Sequence, residues 1–232
     1  MKKFGKIIGI GIGVVAALVI TASTTQAQNL LTDGSFENGS FVNTVPVGSP
    51  LTVANVGQGW AANFGGSGVG NSDMSSSPDS PQDGNYALLT VNNPGNNWNP
   101  QGTYQIVNAN AGGAYSLSAW FLTDTGSSSP IGPVDIQLQF LDGALANLAT
   151  VETGWIYPTA INTWTQATIS GTAPVGTAFA SVYLMFMDNG QVTPENMYFD
   201  NASLTAVPEP STLALMGMGL AGTFYFIRRR KS

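Results

Sequence analysis

Alternation of apolar and polar residues is the feature that most constrains the fold of this 232-residue chain. Residues 134–141 read VDIQLQFL, and every second side chain from Val134 to Phe140 is apolar. A period of two places these side chains on one face of a β-strand. Residues 178–187, AFASVYLMFM, are apolar on both faces in their second half, which predicts a central strand covered on both sides.

The alternation, together with Asp-Gly and Asn-Gly turn signals, predicts about nine short strands and no long helix between residues 28 and 206. Gly-rich and Asn-rich stretches at 61–82 and 92–100 are expected to be loops. An all-β chain with this organisation is expected to form a single β-sandwich of jelly-roll type. The expected strands are 51–56, 86–91, 102–107, 115–122, 134–141, 145–152, 163–169, 178–187 and 197–204.

The positive charges are confined to the two ends of the chain. Residues 28–206 contain no Lys, Arg, His or Cys, yet they carry 12 of the 13 carboxylates, all but Glu209. Without a positive patch, a nucleic-acid partner is not expected. Without disulfides, the domain must rely on core burial. Its carboxylates repel one another, and bound calcium would relieve that repulsion, although the excess charge could equally serve solubility.

The same composition limits catalysis. Without His, Lys, Arg or Cys, a two-carboxylate glycosidase is the ordinary option that is left, and it needs a pair of carboxyl groups about 5–10 Å apart in a cleft. Nothing in the spacing of the carboxylates singles out such a pair. We therefore expect a protein that is not an enzyme.

The N-terminus has the pattern of a secretory signal peptide over residues 1–27. Lys2, Lys3 and Lys6 precede an apolar run at 7–20, and small and polar residues then lead to Ala27. This order is that of a charged region, a hydrophobic region and a cleavage site. Cleavage after Ala27 would leave a domain of residues 28–206; the alternative is an uncleaved anchor helix.

The C-terminus carries a second apolar segment. Residues 213–227 are 15 uncharged residues, which as a helix reach about 22 Å, short of a bilayer core of about 30 Å. Ser211 and Thr212 extend the run, so a membrane helix is expected at 211–227. The basic tail at 228–232 stops transfer and, like the N-terminal lysines, belongs on the cytoplasmic side.

Immediately before this helix, residues 207–210 read Val-Pro-Glu-Pro. The proline-rich triplet, the short apolar helix and the terminal arginines together resemble the PEP-CTERM sorting signal, the alternative being a stiff linker before an anchor. The resemblance implies that exosortase, a membrane-embedded protease, cuts near the triplet. It also implies an inner-membrane intermediate and a final place in the envelope, surface or extracellular matrix of a Gram-negative bacterium that makes exopolysaccharide. The residues that carry it are Pro208, Glu209, Pro210, Arg228, Arg229 and Arg230.

A second resemblance covers nearly the whole domain. Loose motifs such as NLLTDGSFE at 29–37, GNYALLTV at 84–91 and YFDNASL at 198–204 are similar to galactose-binding-like jelly rolls, especially carbohydrate-binding modules of families 4, 9 and 22. The last strand of that family often reads Phe-Asp-Asp, and Asn201 replaces the second Asp here.

The second resemblance implies a structural calcium ion where the first and last strands meet. By position, Glu37 and Asp200 would be its side-chain ligands, with Asp33 as a weaker third and backbone carbonyls completing the shell. The alternative is that Asp200 merely caps a turn.

It also implies polysaccharide binding through aromatic faces and planar amides. The alternative for each aromatic residue is core packing, and the family's clefts commonly recruit Arg, Lys or His, none of which is present. We expect an exported, non-catalytic polysaccharide-binding protein, or alternatively a structural matrix protein with no specific ligand, and a shared exposed face for Trp98, Trp120 and Trp155 would favour the first. The candidates are Trp60, Trp98, Trp120, Trp155, Tyr157, Gln137 and Gln139.

Overall fold

A computed structural model describes residues 27–38, 52–64, 73–77, 81–92, 100–123, 132–187 and 195–207. In this part of the chain, no helix is long and apolar enough to cross a membrane. The expected signal peptide, apart from Ala27, and the expected C-terminal helix lie outside the described residues.

The described residues form ten strands in two five-stranded antiparallel sheets, which confirms the expected all-β sandwich of jelly-roll type. Sheet 1 has the order β1-β4-β9-β6-β7, and sheet 2 has the order β2-β3-β10-β5-β8. Sheet 1 contains β1 (Ala61–Phe64), β4 (Pro100–Asn108), β6 (Val134–Leu141), β7 (Asn147–Glu152) and β9 (Phe179–Met187). Sheet 2 contains β2 (Asp73–Ser77), β3 (Ala87–Asn92), β5 (Ala114–Thr123), β8 (Thr165–Thr172) and β10 (Glu195–Val207).

The core lies between the two sheets and is built from the apolar face of each alternating strand. Ile136 and Leu138 of β6 pack in one buried cluster with Phe121 of β5 and Phe199 of β10. Full burial of such a side chain contributes roughly 1.5–3 kcal/mol, which a domain without cysteine needs. The doubly apolar strand β9 lies between β4 and β6, and its residues are buried on both faces, as expected.

The expectations for the first strands were wrong. In place of the strand at 51–56, the described residues form a 3-10 helix at Val53–Asn55 and one bridge between Val56 and Ile106. Strands β1 and β2 fall in the stretch expected to be a loop. Both are edge strands, and the backbone hydrogen bonds that attach an edge strand need no alternating pattern, so composition hides them.

Strands β7 and β8 each begin two residues later than expected. Leu145 has a φ of 66° and belongs to the turn before β7. The Asp142 carboxylate accepts the backbone N–H groups of Ala144 and Ala146 at 2.8 and 2.9 Å and so fixes this turn. Because the Asp142 side chain holds residues 144–146 in a turn, β7 begins at residue 147 and not at residue 145.

The N-terminal segment packs on the last strand and so positions Glu37. The backbone N–H of Leu30 donates to the carbonyl of Leu204 at 2.7 Å, and the Asn29 amide donates to the carbonyl of Ala202 at 2.9 Å. The Gln105 amide, inside the sandwich, both donates to and accepts from the Thr32 backbone. Residues 29–37 are thereby held beside β10.

Candidate functional site

One row of residues in register crosses the outer face of sheet 1. Tyr104 of β4 pairs with Tyr183 of β9, Tyr183 pairs with Gln137 of β6, and Gln137 pairs with Glu152 of β7. Directly opposed side chains in antiparallel strands lie about 4.5–5.5 Å apart at Cβ. We call these four residues the cross-strand row, which passes from aromatic to amide to carboxylate.

The aromatic end of the row is buried. Tyr104 is 3% exposed and Tyr183 is 7% exposed, and their ring centroids are 5.7 Å apart at an interplanar angle of 31°. Burial raises the pKa of both phenols, the Tyr183 charge adding to the effect at Tyr104 and the Ser181 hydroxyl offsetting part of it at Tyr183. Both therefore remain neutral donors at physiological pH. Within the described part of the chain, the Tyr104 hydroxyl has no hydrogen-bond partner.

The polar end of the row belongs to a set of side chains that we call the amide ladder: Asp135, Gln137, Gln139 and Glu152. Gln137 Nε2 donates to Asp135 Oδ2 at 2.8 Å and to Glu152 Oε2 at 2.9 Å. Gln139 Nε2 donates to Gln137 Oε1 at 3.2 Å. The ladder therefore joins two carboxylates through side-chain amides, and it contains both glutamines predicted from the sequence.

Its members differ in exposure. Asp135 is 1% exposed, and its second oxygen accepts the Thr153 hydroxyl at 2.9 Å. Gln137 and Gln139 are half-buried, and Glu152 is exposed. Solvent and ligands can therefore reach the ladder along β7 and not at Asp135.

Two of the predicted aromatics follow β7, near the Asp135 end of this ladder. Trp155 is 37% exposed and Tyr157 is 54% exposed. Ile156, between them, exchanges two 2.8 Å backbone hydrogen bonds with Val134 and packs against the core. Successive side chains of an extended segment point to opposite sides. Trp155 and Tyr157 are therefore directed away from the core, on the side of the sheet that carries Asp135.

The other predicted aromatics lie elsewhere. Trp60 is 4% exposed, stacks on Phe36 at a centroid distance of 5.2 Å and donates Nε1–H to the Asp33 carbonyl at 2.9 Å. Trp120 is half-buried on β5 of sheet 2, where its neighbours in the chain face the core. It therefore lies on the opposite outer face from Gln137 and Trp155, so Trp120 and Trp155 do not share the exposed face that would have favoured polysaccharide binding. Trp98 lies outside the described residues.

Sequence reasoning missed Tyr104, Tyr183, Asp135 and Glu152. Asp135 could have been predicted from the sequence, because it alternates with Gln137 and Gln139 in VDIQLQFL and must lie on the same face of the strand. The other three are brought to Gln137 by the register of three different strand pairs. That register is a tertiary property that the spacing of residues in one sequence does not display.

Glu37 and Asp200 converge on one turn, residues 82–86, in an arrangement that we call the carboxylate clamp. Asp200 Oδ2 accepts the backbone N–H groups of Gln82 and Asp83 at 2.8 and 3.3 Å. The Glu37 carboxylate accepts those of Asn85 and Tyr86 at 2.9 and 3.1 Å. The clamp thus ties the first and last segments of the sandwich to the turn between β2 and β3.

The two clamp carboxylates have opposite electrostatic environments. Burial raises the pKa of Asp200, which is 0% exposed, and the nearby Glu37 charge raises it further against the lowering effect of the backbone N–H groups. The N–H groups of Tyr86 and Asn85 lower the pKa of Glu37. Asp33 contributes differently, because its carboxylate accepts the N–H of Asn38 at 3.2 Å and so closes the segment 33–38 that contains Glu37.

The metal-binding capacity of this region rests on few side chains. Across the described ranges, no three Asp, Glu, His or Cys side chains lie together as a metal-binding group. A cation at the clamp would therefore need backbone carbonyl oxygens in addition to Glu37 and Asp200.

Residues 206–231 match the family model of the PEP-CTERM protein-sorting motif. The chain carries a PEP-CTERM sorting motif. A protein with this motif is exported across the membrane to the cell envelope or surface. The motif confirms the resemblance drawn from the Pro-Glu-Pro triplet and the arginine cluster. Its residues Pro208, Glu209, Pro210, Arg228, Arg229 and Arg230 lie outside the described part of the chain.

Solved structures resemble the fold at low sequence identity. The active domain of bacteriophage CBA120 tailspike protein 4 is 13% identical with a TM-score of 0.54, over 77% of this chain and 21% of the tailspike chain. A Stig cyclase from Fischerella sp. TAU is 15% identical with a TM-score of 0.53, over 80% and 100%.

The CBM22-1 xylan-binding domain of Paenibacillus barcinonensis Xyn10C is 14% identical with a TM-score of 0.47, over 79% and 97%. This chain spans about a fifth of the tailspike, and the first two likenesses show the fold alone. No curated protein matches the sequence.

Proposed function

We propose that this protein is an exported, non-catalytic polysaccharide-binding protein whose site is the amide ladder with Trp155 and Tyr157. The observation that carries the proposal is that one outer face of sheet 1 carries two half-exposed glutamine amides and, next to the Asp135 end of the same strand, two exposed aromatic side chains. A pyranose ring stacks its C–H face on an aromatic ring while planar amides and carboxylates bond its hydroxyls. The ladder and the flanking aromatics offer both kinds of contact.

The position of the ladder carboxylates supports binding over hydrolysis. Asp135 and Glu152 both accept from Gln137 Nε2, which allows the separation of about 5–5.5 Å that a retaining glycosidase uses. The enclosure of Asp135, and not the distance, is what argues against hydrolysis. A glycosidase needs two carboxyl groups that flank the scissile bond. Asp135 is enclosed, and both of its oxygens already accept hydrogen bonds from Gln137 and Thr153. It therefore has no free approach to a glycosidic oxygen.

The sorting motif supports the cell envelope or surface as the location of this binding. Exosortase, acting on the tail, is the proposed processing partner, and the exopolysaccharide of a Gram-negative envelope or biofilm matrix is the proposed ligand. The membrane then holds the chain only through the C-terminal helix, before processing.

We also propose a structural calcium ion at the carboxylate clamp, held by Glu37 and Asp200. Asp200 is a buried carboxylate whose pKa is raised, and residues 28–206 supply no basic side chain to balance it. Hard oxygen ligands of this kind suit calcium. When bound, the ion would neutralise the two carboxylates and hold the 82–86 turn to both ends of the sandwich.

The binding proposal is tested by retention of the full chain, purified in detergent, on a panel of immobilised polysaccharides that includes the host's own. We expect Trp155→Ala and Tyr157→Ala each to weaken retention at least tenfold, about 1.4 kcal/mol. Trp120→Ala is the matched control, since it removes a half-buried tryptophan from the opposite outer face. Folded wild-type protein that no polysaccharide retains would favour a structural matrix protein without a specific ligand.

A further inference from the structure

The hydrogen bonds of the amide ladder fix the orientation of both glutamines. Two carboxylate oxygens contact the same atom of the Gln137 amide, and ionised carboxylates only accept hydrogen bonds. That atom must therefore be nitrogen, and the Gln137 carbonyl oxygen must face Gln139. The atom of Gln139 that meets it at 3.2 Å must in turn be nitrogen.

This orientation decides what the ladder offers to a ligand. Both N–H bonds of the Gln137 amide are used on carboxylates, and one N–H bond of Gln139 is used on Gln137. The free groups are mainly acceptors: the Gln139 carbonyl oxygen and the second oxygen of the exposed Glu152. Apart from the second N–H bond of Gln139, the ladder's amide donors are used within the ladder, so the groups that it offers to a ligand are mostly acceptors.

The charge of the surroundings acts in the same direction. No Lys, Arg or His occurs anywhere in residues 28–206, so no side chain of the domain can pair with an acidic group of a ligand. Glu152 and Asp135 would repel such a group across a face that is partly shielded from solvent. A ligand that donates hydrogen bonds and carries no negative charge meets neither obstacle.

We infer that the amide ladder selects non-acidic polysaccharides, whose hydroxyls donate to Gln139 Oε1 and Glu152, and rejects polysaccharides that carry uronate, sulfate or pyruvate groups. This inference rests on the proposed polysaccharide function and assigns it a ligand class. Glu152 and the oriented Gln139 are the specificity-determining residues. The Glu152 carboxylate accepts from the ligand, and Asp135 and Glu152 together, through Gln137, set the direction in which the Gln139 amide points.

The test compares binding of the full chain in detergent to a neutral galactan, a neutral xylan, a polygalacturonate and an alginate, in chelator so that no cation bridges acidic chains. The wild type is expected to bind at least one neutral polysaccharide and to bind the acidic ones at least tenfold more weakly. Glu152→Gln removes one charge from the exposed end of the ladder, while Asp135 still accepts from Gln137 Nε2 and keeps that amide in place. It is expected to weaken neutral binding roughly tenfold, since a bond to a charged acceptor is lost, and to strengthen acidic binding.

Asp142→Asn is the matched control. It removes the same charge at the tip of the β6–β7 turn, where an amide oxygen can still accept the turn N–H groups, and it should leave the ratio of neutral to acidic binding unchanged. Equal or tighter binding of acidic polysaccharide by the wild type overturns the inference while leaving the proposed function intact. A shift of the ratio by Asp142→Asn as large as that by Glu152→Gln would attribute selectivity to net charge and also overturn it. Absence of binding to every polysaccharide, both in chelator and after calcium is restored, overturns both proposals.

Discussion

The carboxylate clamp and the amide ladder each hold two carboxylates together in a domain that has no basic side chain to neutralise them. In the clamp, the compensating donors are backbone N–H groups of the 82–86 turn. In the ladder, they are the Gln137 amide and the Thr153 hydroxyl. Backbone donors are fixed by the fold, whereas side-chain donors on a half-exposed face can exchange partners with a ligand. We therefore propose that the same chemistry supports structure at the clamp and recognition at the ladder.

Loss of the buried clamp carboxylate should have the largest effect on stability. Asp200→Ala leaves the N–H groups of Gln82, Asp83 and Asn201 without their acceptor. Unsatisfied buried donors cost about 1–3 kcal/mol each, and since the turn is partly exposed we expect a total loss of about 2–4 kcal/mol by chemical denaturation. Asp200→Asn, which keeps one acceptor oxygen, should lose less. A loss below about 1 kcal/mol for Asp200→Ala would show that the clamp is not structural.

The response to calcium should distinguish the carboxylate clamp from the amide ladder. If it binds the clamp of the folded protein, saturation at a hundred times the Kd adds about 2.7 kcal/mol of stability. We expect calcium to raise the Tm of the wild type relative to chelator, and Asp200→Asn to abolish that shift. Glu152→Gln should retain it. A calcium shift that survives loss of Asp200 and disappears with Glu152 would move the metal to the ladder.

The pH dependence of stability should reflect the opposite pKa shifts of the clamp. The raised pKa of Asp200 makes its ionised form a cost above that pKa, which is relieved as pH falls through it. The lowered pKa of Glu37 gives stability that is present above its ordinary value of 4.5 and is lost as pH falls through the folded-state pKa. In chelator, denaturation curves should therefore show a maximal free energy of unfolding on the acidic side of neutrality. Asp200→Asn should reduce the increase in that free energy as pH falls from 7 toward this maximum. A monotonic loss of stability from pH 7 downward would contradict this assignment.

The smallest expected effect comes from loss of the Thr153 hydroxyl, which holds Asp135 of the amide ladder in place. Thr153→Val removes the hydroxyl that donates to Asp135 and accepts the N–H of Ile136. We expect a loss of about 1–2 kcal/mol by denaturation and an unchanged response to calcium. Thr168→Val, on exposed β8, is the control and should be near neutral. Equal effects of the two valine variants would show that Thr153 does not support Asp135.

Hydrophobic patterning in the sequence was sufficient for the sandwich and for its inner strands. The alternating strands β5 and β6 each bury an apolar face between the sheets, and the doubly apolar strand β9 is covered on both faces. The patterning was not sufficient for the edge strands. Residues 73–77, DMSSS, pair with β3 through backbone hydrogen bonds, and their residue types show no alternating pattern that would predict a strand.

The candidate site divides in the same way. Gln137 and Gln139 were predicted as polar residues on one face of β6, and the ladder joins them directly. Tyr183 and Glu152 joined Gln137 only through the register of β6 with two other strands. Trp60 and Trp120 illustrate the converse, because an aromatic residue in the sequence does not reveal which side of a sheet it will occupy.

The central claim, that the ladder recognises a ligand while the clamp supports the fold, is tested most directly by amide hydrogen exchange of the full chain with and without a bound neutral polysaccharide. We predict added protection in residues 147–157, which carry Glu152, Trp155 and Tyr157, and unchanged protection in the 82–86 turn. Protection confined to the turn or to the Trp120 face of sheet 2, with residues 147–157 unaffected by a polysaccharide that binds, would contradict the account.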